Sequence, residues 1–208
     1  MTIDGDSTQT SRSRLLAAGK ALFARLGYEQ ASTAAIAREA GSSESQLIRY
    51  YRSKAGLLEA ISDESWSALN GRIQQLVMGA TSAAEALQAT VDTLSEVFDA
   101  DGELAFVLLF EGWRIRSKGF ADFETMLRIL VQRGKKDGGV HPDLPESAVV
   151  FALLGATERM ARERLQAVRA GQEPPVSEGD VRVVFKALLS GLSGAPASRR
   201  PDTPASRR

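Results

Sequence analysis

From about Ser11 to Leu192 the apolar positions of this chain recur at intervals of three and four, with no sustained alternation in twos. That spacing gathers apolar side chains on one face of an α-helix, so an all-α fold with essentially no sheet is expected. Leu15, Gly19, Leu22, Phe23 and Leu26 mark a first amphipathic helix that Gly27 should stop. Two short helical patterns follow and meet at Ala40-Gly41. After Ser53 a long pattern runs through Leu57, Leu58, Ile61, Trp66, Leu69, Ile73 and Leu76. Its first half should pack on the segments before it and its second half should leave them. Further helical blocks are expected at about 82–100, 103–117, 120–137, 145–170 and 178–193, separated by glycine or short polar turns.

The pair meeting at Ala40-Gly41 has the form of a helix-turn-helix, whose second helix lies in the major groove of duplex DNA. Thr33 is placed to cap the first helix of the pair, whose small apolar face is Ile36, Ala37 and Ala40, and Gly41 permits the left-handed backbone that ends it. Ser43 and Gln46 have the spacing of a capping box for the second helix. Leu47 and Tyr51, four apart, should hold that helix down, leaving a polar, basic and aromatic outer face. On it Gln46 and Arg49 are the candidates for reading bases, since an amide can pair with adenine and a guanidinium with guanine. Thr33, Tyr50 and Lys54, each near a helix terminus, suit backbone phosphate contacts. Ser43 and Ser45 complete the expected DNA-binding set. For every one of these the alternative is an ordinary solvated helix face.

These residues resemble a family. Gly27-Tyr28, Ser32-Thr33, Ile36-Ala37, Ala40-Gly41, Ser43, Leu47, Tyr50-Tyr51 and Ser53-Lys54-x-x-Leu57-Leu58 are similar to the N-terminal signature of TetR-type transcriptional regulators, over roughly residues 12 to 61. The resemblance implies a cytoplasmic, ligand-responsive regulator that binds a double-stranded DNA operator as a homodimer, more often a repressor than an activator. The chain departs from the pattern in having Ser45 where the family often has glycine, Ile48 where an aromatic is common, and the negative Glu44 beside phosphates. An operator sequence therefore does not transfer from a relative.

Charge and composition sharpen this reading. The chain of 208 residues is formally neutral, yet its charge is polarised, at +3 in residues 1–54, −6 in 55–193 and +3 in 194–208. A basic head on an acidic body orients a protein on a polyanion, although so small an excess also arises by chance. Without cysteine and with His141 as its single histidine, the chain offers no disulfide, thiolate metal site or histidine dyad. No metal, cofactor or enzymatic activity is expected. There is no apolar run long enough for a membrane span and no secretory signal order, so no membrane partner is expected.

The expected organisation is a disordered arm at 1–10, a three-helix DNA-binding head at 11–56, a helical effector-binding and dimerisation body at 57–193, and a disordered basic tail at 194–208. The tail carries a repeated PASRR. In the body Phe98, Phe106, Phe110, Trp113, Phe123, Met126 and Met160 form an aromatic and sulfur-rich set. It can line a cavity for a small apolar effector or simply be core. Glu111, Arg114 and Glu158 are candidate polar anchors. Val181, Val184, Phe185, Leu188 and Leu192, with Val149, Leu153, Ala156 and Met160, form two amphipathic faces suited either to a four-helix dimer interface or to packing within the subunit. The competing functions are a helical protein–protein adaptor and an all-helical small-molecule-binding protein without DNA binding.

Overall fold

A computed structural model of the chain describes residues 4–112, 115 and 117–193, with side chains from Ser11 onward except that of Glu178. Trp113, Arg114 and the tail expected at 194–208 lie outside the described residues. Every regular element among the described residues is helical: α1 (Asp4–Gln30), α2 (Thr33–Glu39), α3 (Glu44–Tyr51), α4 (Lys54–Gly79), α5 (Ala83–Ala100), α6 (Gly102–Phe106), a π-helical turn (Val107–Glu111), α7 (Lys118–Asp137), α8 (Glu146–Arg169) and α9 (Glu178–Leu192).

One difference from expectation falls in α1. It begins at Asp4, inside the segment read as a disordered arm, because adding turns to a helix nucleated by packing costs far less than starting one. Gly27 stops the regular helix as expected: at φ 78° and ψ 159° it takes a non-helical conformation nearly closed to other residues, and a separate short helical segment carries α1 on through Gln30 beyond the kink. The block expected at 103–117 divides: it begins as α6 and the π turn, and its last residue, Ser117, caps α7.

Two cores organise the molecule. Leu15, Leu22, Phe23, Ile36, Leu47 and Tyr51 close the head together with Leu57, Leu58 and Ile61 of α4 and Val107 of the π turn. The second core joins Trp66, Leu69 and Ile73 of α4 to α5, α7, α8 and α9. The boundary expected at 56/57 therefore lies inside the head's packing, since α4 supplies the fourth wall that three short helices lack. α8 and α9 lie antiparallel on α5: the His141 amide donates to Leu192 O at 2.7 Å near one end, and Arg164 Nη1 to Val176 O at 2.9 Å near the other.

A Cβ at Gly27 would meet Glu111 Oε1 at 3.6 Å, an ordinary contact, so an alanine there is opposed by the backbone and not by crowding. Gly27→Ala is expected to destabilise the protein by about 1–3 kcal/mol in urea unfolding, and a variant as stable as the parent would contradict the strained kink.

Candidate nucleic-acid interface and body cavity

The turn between α2 and α3 is built by backbone chemistry that the sequence supplies. Gly41, at φ 57°, is left-handed, and the amides of Gly41 and Ser42 reach back to Arg38 O at 3.1 Å and Ala37 O at 2.9 Å. This double closure satisfies the terminal carbonyls of α2 and sends the chain sharply into α3. Ser43 Oγ accepts from the Gln46 amide at 3.2 Å, and Gln46 Oε1 accepts from the Ser43 amide, completing the capping box. The cap of α2 is Ser32 and not Thr33. Ser32 has the extended backbone a cap needs and accepts from the Ala35 amide at 3.1 Å. Thr33, one residue inside the helix, instead donates its hydroxyl to Glu44 and ties the start of α2 to the start of α3.

Leu47 is fully buried and Tyr51 nearly so, which leaves Glu44, Ser45, Ile48 and Arg49 exposed along α3 with Gln46 and Tyr50 half-covered. Burial pushes the Tyr51 phenol above its ordinary pKa, so it stays neutral and donates to Arg12 O at 2.9 Å, pinning α3 to α1. The expected contact residues thus share one side of the head, but several are engaged within it. Gln46 Oε1 also accepts from Ser42 Oγ at 2.6 Å, so bidentate pairing with adenine would require the box to open, while its amide nitrogen stays available. Arg49 donates to the Tyr50 hydroxyl at 3.0 Å and lies over that ring. Lys54 Nζ donates to Tyr28 O at 2.8 Å and sits 4.4 Å from the Tyr28 ring centroid, covering the carbonyl end of α1. Nζ also donates to Glu29 O at 3.4 Å, so a phosphate contact from Lys54 would be exchanged for one of these partners.

The body reaches the head at three further points. Glu111, buried at the end of the π turn, accepts from the Tyr28 amide at 2.9 Å through Oε1. Lys20 and Asp101 pair at 2.7 Å across α1 and α6. Desolvation works against the charged Asp101, but the bonds from Lys20 and the Leu104 amide overcome it and lower its pKa. Arg169, at the end of α8, donates to Ala24 O and lies 4.0 Å from the Phe106 ring centroid.

Inside the body, between α4, the π turn, α7 and α8, is a cavity of about 330 Å³. Trp66, Phe98, Leu108, Leu109, Phe120 and Leu154 supply its apolar walls, and Ser62, Ser117, Thr157, Glu124, Glu158 and Arg162 its polar groups. Of the expected aromatic and sulfur set, Phe98 lines this space. Phe123 is fully buried and stacks on Trp66 at 5.0 Å. Phe106 and Phe110 stack on each other at 4.9 Å under the Arg169 and Arg162 guanidiniums. Met126 and Met160 pack at the edge of the core away from the cavity. Of the anchors, Glu158 lines the cavity, whereas Glu111 turns to the head. The available sign of the cavity was a hydroxyl in a buried stripe: Ser62 falls in the Leu58–Ser62–Trp66 series and Thr157 follows Leu153 at the same interval.

The two amphipathic faces read for dimerisation divide. Val149, Leu153, Val181 and Phe185 are buried in the subunit's own core, whereas Val184 and Leu188 are exposed at 42% and 45%. With Val183, Ala187 and Gly191 they make an exposed apolar strip on α9, and Ala148, Phe151 and Ala152 make another on α8.

Among the described residues no helix is long and apolar enough to cross a membrane, and no group of three His, Cys, Asp or Glu side chains is arranged to hold a metal. Residues 15–61 match the family model of bacterial regulatory proteins of the TetR family. Over 141 residues, 64% of this chain and 71% of the relative, the chain is 28% identical to the nucleoid occlusion factor SlmA of Vibrio vulnificus. Its fold is similar to that of the fatty acid degradation regulator FadR from Bacillus halodurans, with a TM-score of 0.74 and 20% identity over 90% of this chain and 97% of the other. FadR from Bacillus subtilis, solved in complex with stearoyl-CoA, gives 0.73 and 17% over 87% and 97%. The ketosteroid regulator KstR2 of Mycobacterium tuberculosis gives 0.64 and 19% over 91% and 95%. At these identities the solved structures speak to fold alone.

Arg49→Ala is expected to weaken binding to a duplex selected from a random pool by about 1–3 kcal/mol while sparing random-sequence DNA. Lys54→Ala should weaken all duplexes alike, flatten the salt dependence and lower the melting temperature, because it also uncovers the end of α1. Gel-shift titrations across salt concentrations would check both, and unchanged affinity in the two variants would overturn the interface.

Proposed function

We propose that this chain, a DNA-binding transcriptional regulator of the TetR family, acts in the cytoplasm as a homodimeric repressor that holds a pseudo-palindromic operator and is released by a small apolar effector bound in its body. The observation that carries this reading is the head: a capped, sharply turned helix pair whose second member is anchored by Leu47 and Tyr51 and keeps Ser45, Ile48 and Arg49 exposed. One such helix meets only a few base pairs, so two copies related by a two-fold axis are needed for specific affinity.

The apolar strips on α8 and α9 support the dimer. α9 buries Val181 and Phe185 inward yet also shows Val183, Val184 and Leu188 to solvent. A helix apolar on two sides fits one face in its own core and the other against a partner. Two such helices from each subunit would form a four-helix interface.

The route from cavity to head runs through the π turn. Leu108, Leu109 and Gly112 line the cavity, while Val107 and Glu111 pack on or bond to the head. A ligand that moves the turn withdraws Glu111 from the Tyr28 amide, and Tyr28 is the residue whose carbonyl and ring receive Lys54 at the start of α4. The same ligand touches α4 directly at Ser62 and Trp66. Tilting α4 changes the separation of the two α3 helices, and half-sites about 34–36 Å apart tolerate only a small change. A differential affinity of about 2–3 kcal/mol between the two states suffices to lower operator occupancy some tens to a hundredfold.

Selecting bound duplexes from a random pool, then screening small molecules for release, tests the whole reading. A purified protein that bound no duplex even at low salt would refute it. Val184→Glu combined with Leu188→Glu should yield a folded monomer in sedimentation, with operator affinity reduced on the order of a hundredfold because each head then binds alone. Glu111→Leu, similar in size but lacking the acceptor, should raise hydrogen exchange at the Tyr28 amide roughly fivefold and blunt effector release without abolishing ligand binding.

A further inference from the structure

We infer that the body cavity selects a neutral, compact, largely apolar molecule carrying a carbonyl or similar oxygen acceptor; this rests on the cavity being the effector site. Three features lead to that class. At about 330 Å³ the space is near the small end of ligand pockets, so a compact molecule fills it and a long chain with a bulky polar head does not.

Among the described residues, the charged groups of the lining already have partners. Arg162 Nη2 pairs with Glu158 at 2.8 Å, and its guanidinium lies 4.6 Å from the Phe110 ring centroid. Glu124 pairs with Arg128 at 2.7 Å. Each pair is neutral as a unit, so a ligand carboxylate or ammonium meets no uncompensated opposite charge among the described lining residues, while it loses hydration on entering a largely apolar space.

The unmet chemistry consists of hydrogen-bond donors. Ser62 and Ser117 line the cavity, each at 1% exposure, and neither hydroxyl donates a hydrogen bond among the described residues. Ser117 Oγ only accepts, from the Phe120 amide at 3.2 Å, whereas the hydroxyl of Thr157, the third in the lining, is spent on Leu153 O. At Gly112 a Cβ would come within 4.0 Å of Ser62 Oγ, so the missing side chain leaves that hydroxyl open to the cavity. A carbonyl oxygen has two lone pairs and can answer these donors without disturbing either ion pair.

Four near-isosteric probes separate the possibilities: 4-butylacetophenone, 4-butylcumene, 4-butylbenzoate and 4-butylbenzamidinium, titrated calorimetrically into the full-length protein without DNA. The ketone should bind at least about fivefold more tightly than the hydrocarbon, the worth of one net hydrogen bond, and more tightly than either ion. Ser62→Ala should reduce the ketone's advantage while leaving hydrocarbon affinity, melting temperature and duplex binding unchanged. Equal binding of ketone and hydrocarbon, preference for either ion, an advantage that Ser62→Ala leaves intact, or no binding by any probe would overturn the inference. Ketone binding that follows the expected order but never alters duplex affinity would instead refute the regulatory reading and leave the ligand class standing.

Discussion

The continuity of α4 is the constraint on which the rest of the structure depends. A single helix of 26 residues gives Leu57, Leu58 and Ile61 to the head and Trp66, Leu69 and Ile73 to the body. No loop intervenes to absorb motion, and a hydrogen-bonded helix cannot bend sharply without a break in its ladder. The two cores are therefore separate in packing but joined in mechanics.

The π turn supplies the second tie between them, and its geometry explains why it can serve both sides. A π turn is wider than an α turn, so consecutive side chains fan out differently from those of a regular helix. Val107 is fully buried in the head while Leu108 and Leu109 face the body and its cavity. Glu111 at its end crosses to the kink at Gly27-Tyr28, the point where α1 departs from regular helix. Residues that contact the head and residues that line the cavity thus share five positions of chain.

The surface proposed to meet DNA is already ordered within the head. Thr33 with Glu44, Gln46 with Ser42 and Ser43, Arg49 with Tyr50, and Lys54 with Tyr28 all have partners within the head. Such pairing lowers the entropy lost on binding but means that some contacts are exchanged and not simply added. The overall neutrality of the chain conceals the same division of labour, with positive charge in the head and negative charge in the body.

Local signals were the legible ones. Helical periodicity placed the long elements of the chain, and the Gly41 turn, the Ser43–Gln46 box and the inward Leu47 and Tyr51 follow from short-range stereochemistry that depends only on neighbours in sequence. The choice of Ser32 over Thr33 as cap was within reach of the same rules but turned on one residue of register, which propensity does not resolve. The composition of the cavity belonged to another level. An aromatic residue lines a space, stacks in a core or shelters under an arginine according to what other helices bring to it, so Phe98, Phe123 and Phe106 had equal claims until α4, α7 and α8 were assembled. Likewise the two sides of α9 are both apolar in sequence, and only its seating on α5 decided that Phe185 faces inward and Val183 outward. The sequence by itself determined the long helices, the Ser43–Gln46 box and the Gly41 turn, because those depend on contacts within a few residues. The tertiary structure alone decided which side chains surround the cavity and which join it to the head, because those contacts span from about eighty to more than a hundred residues of chain.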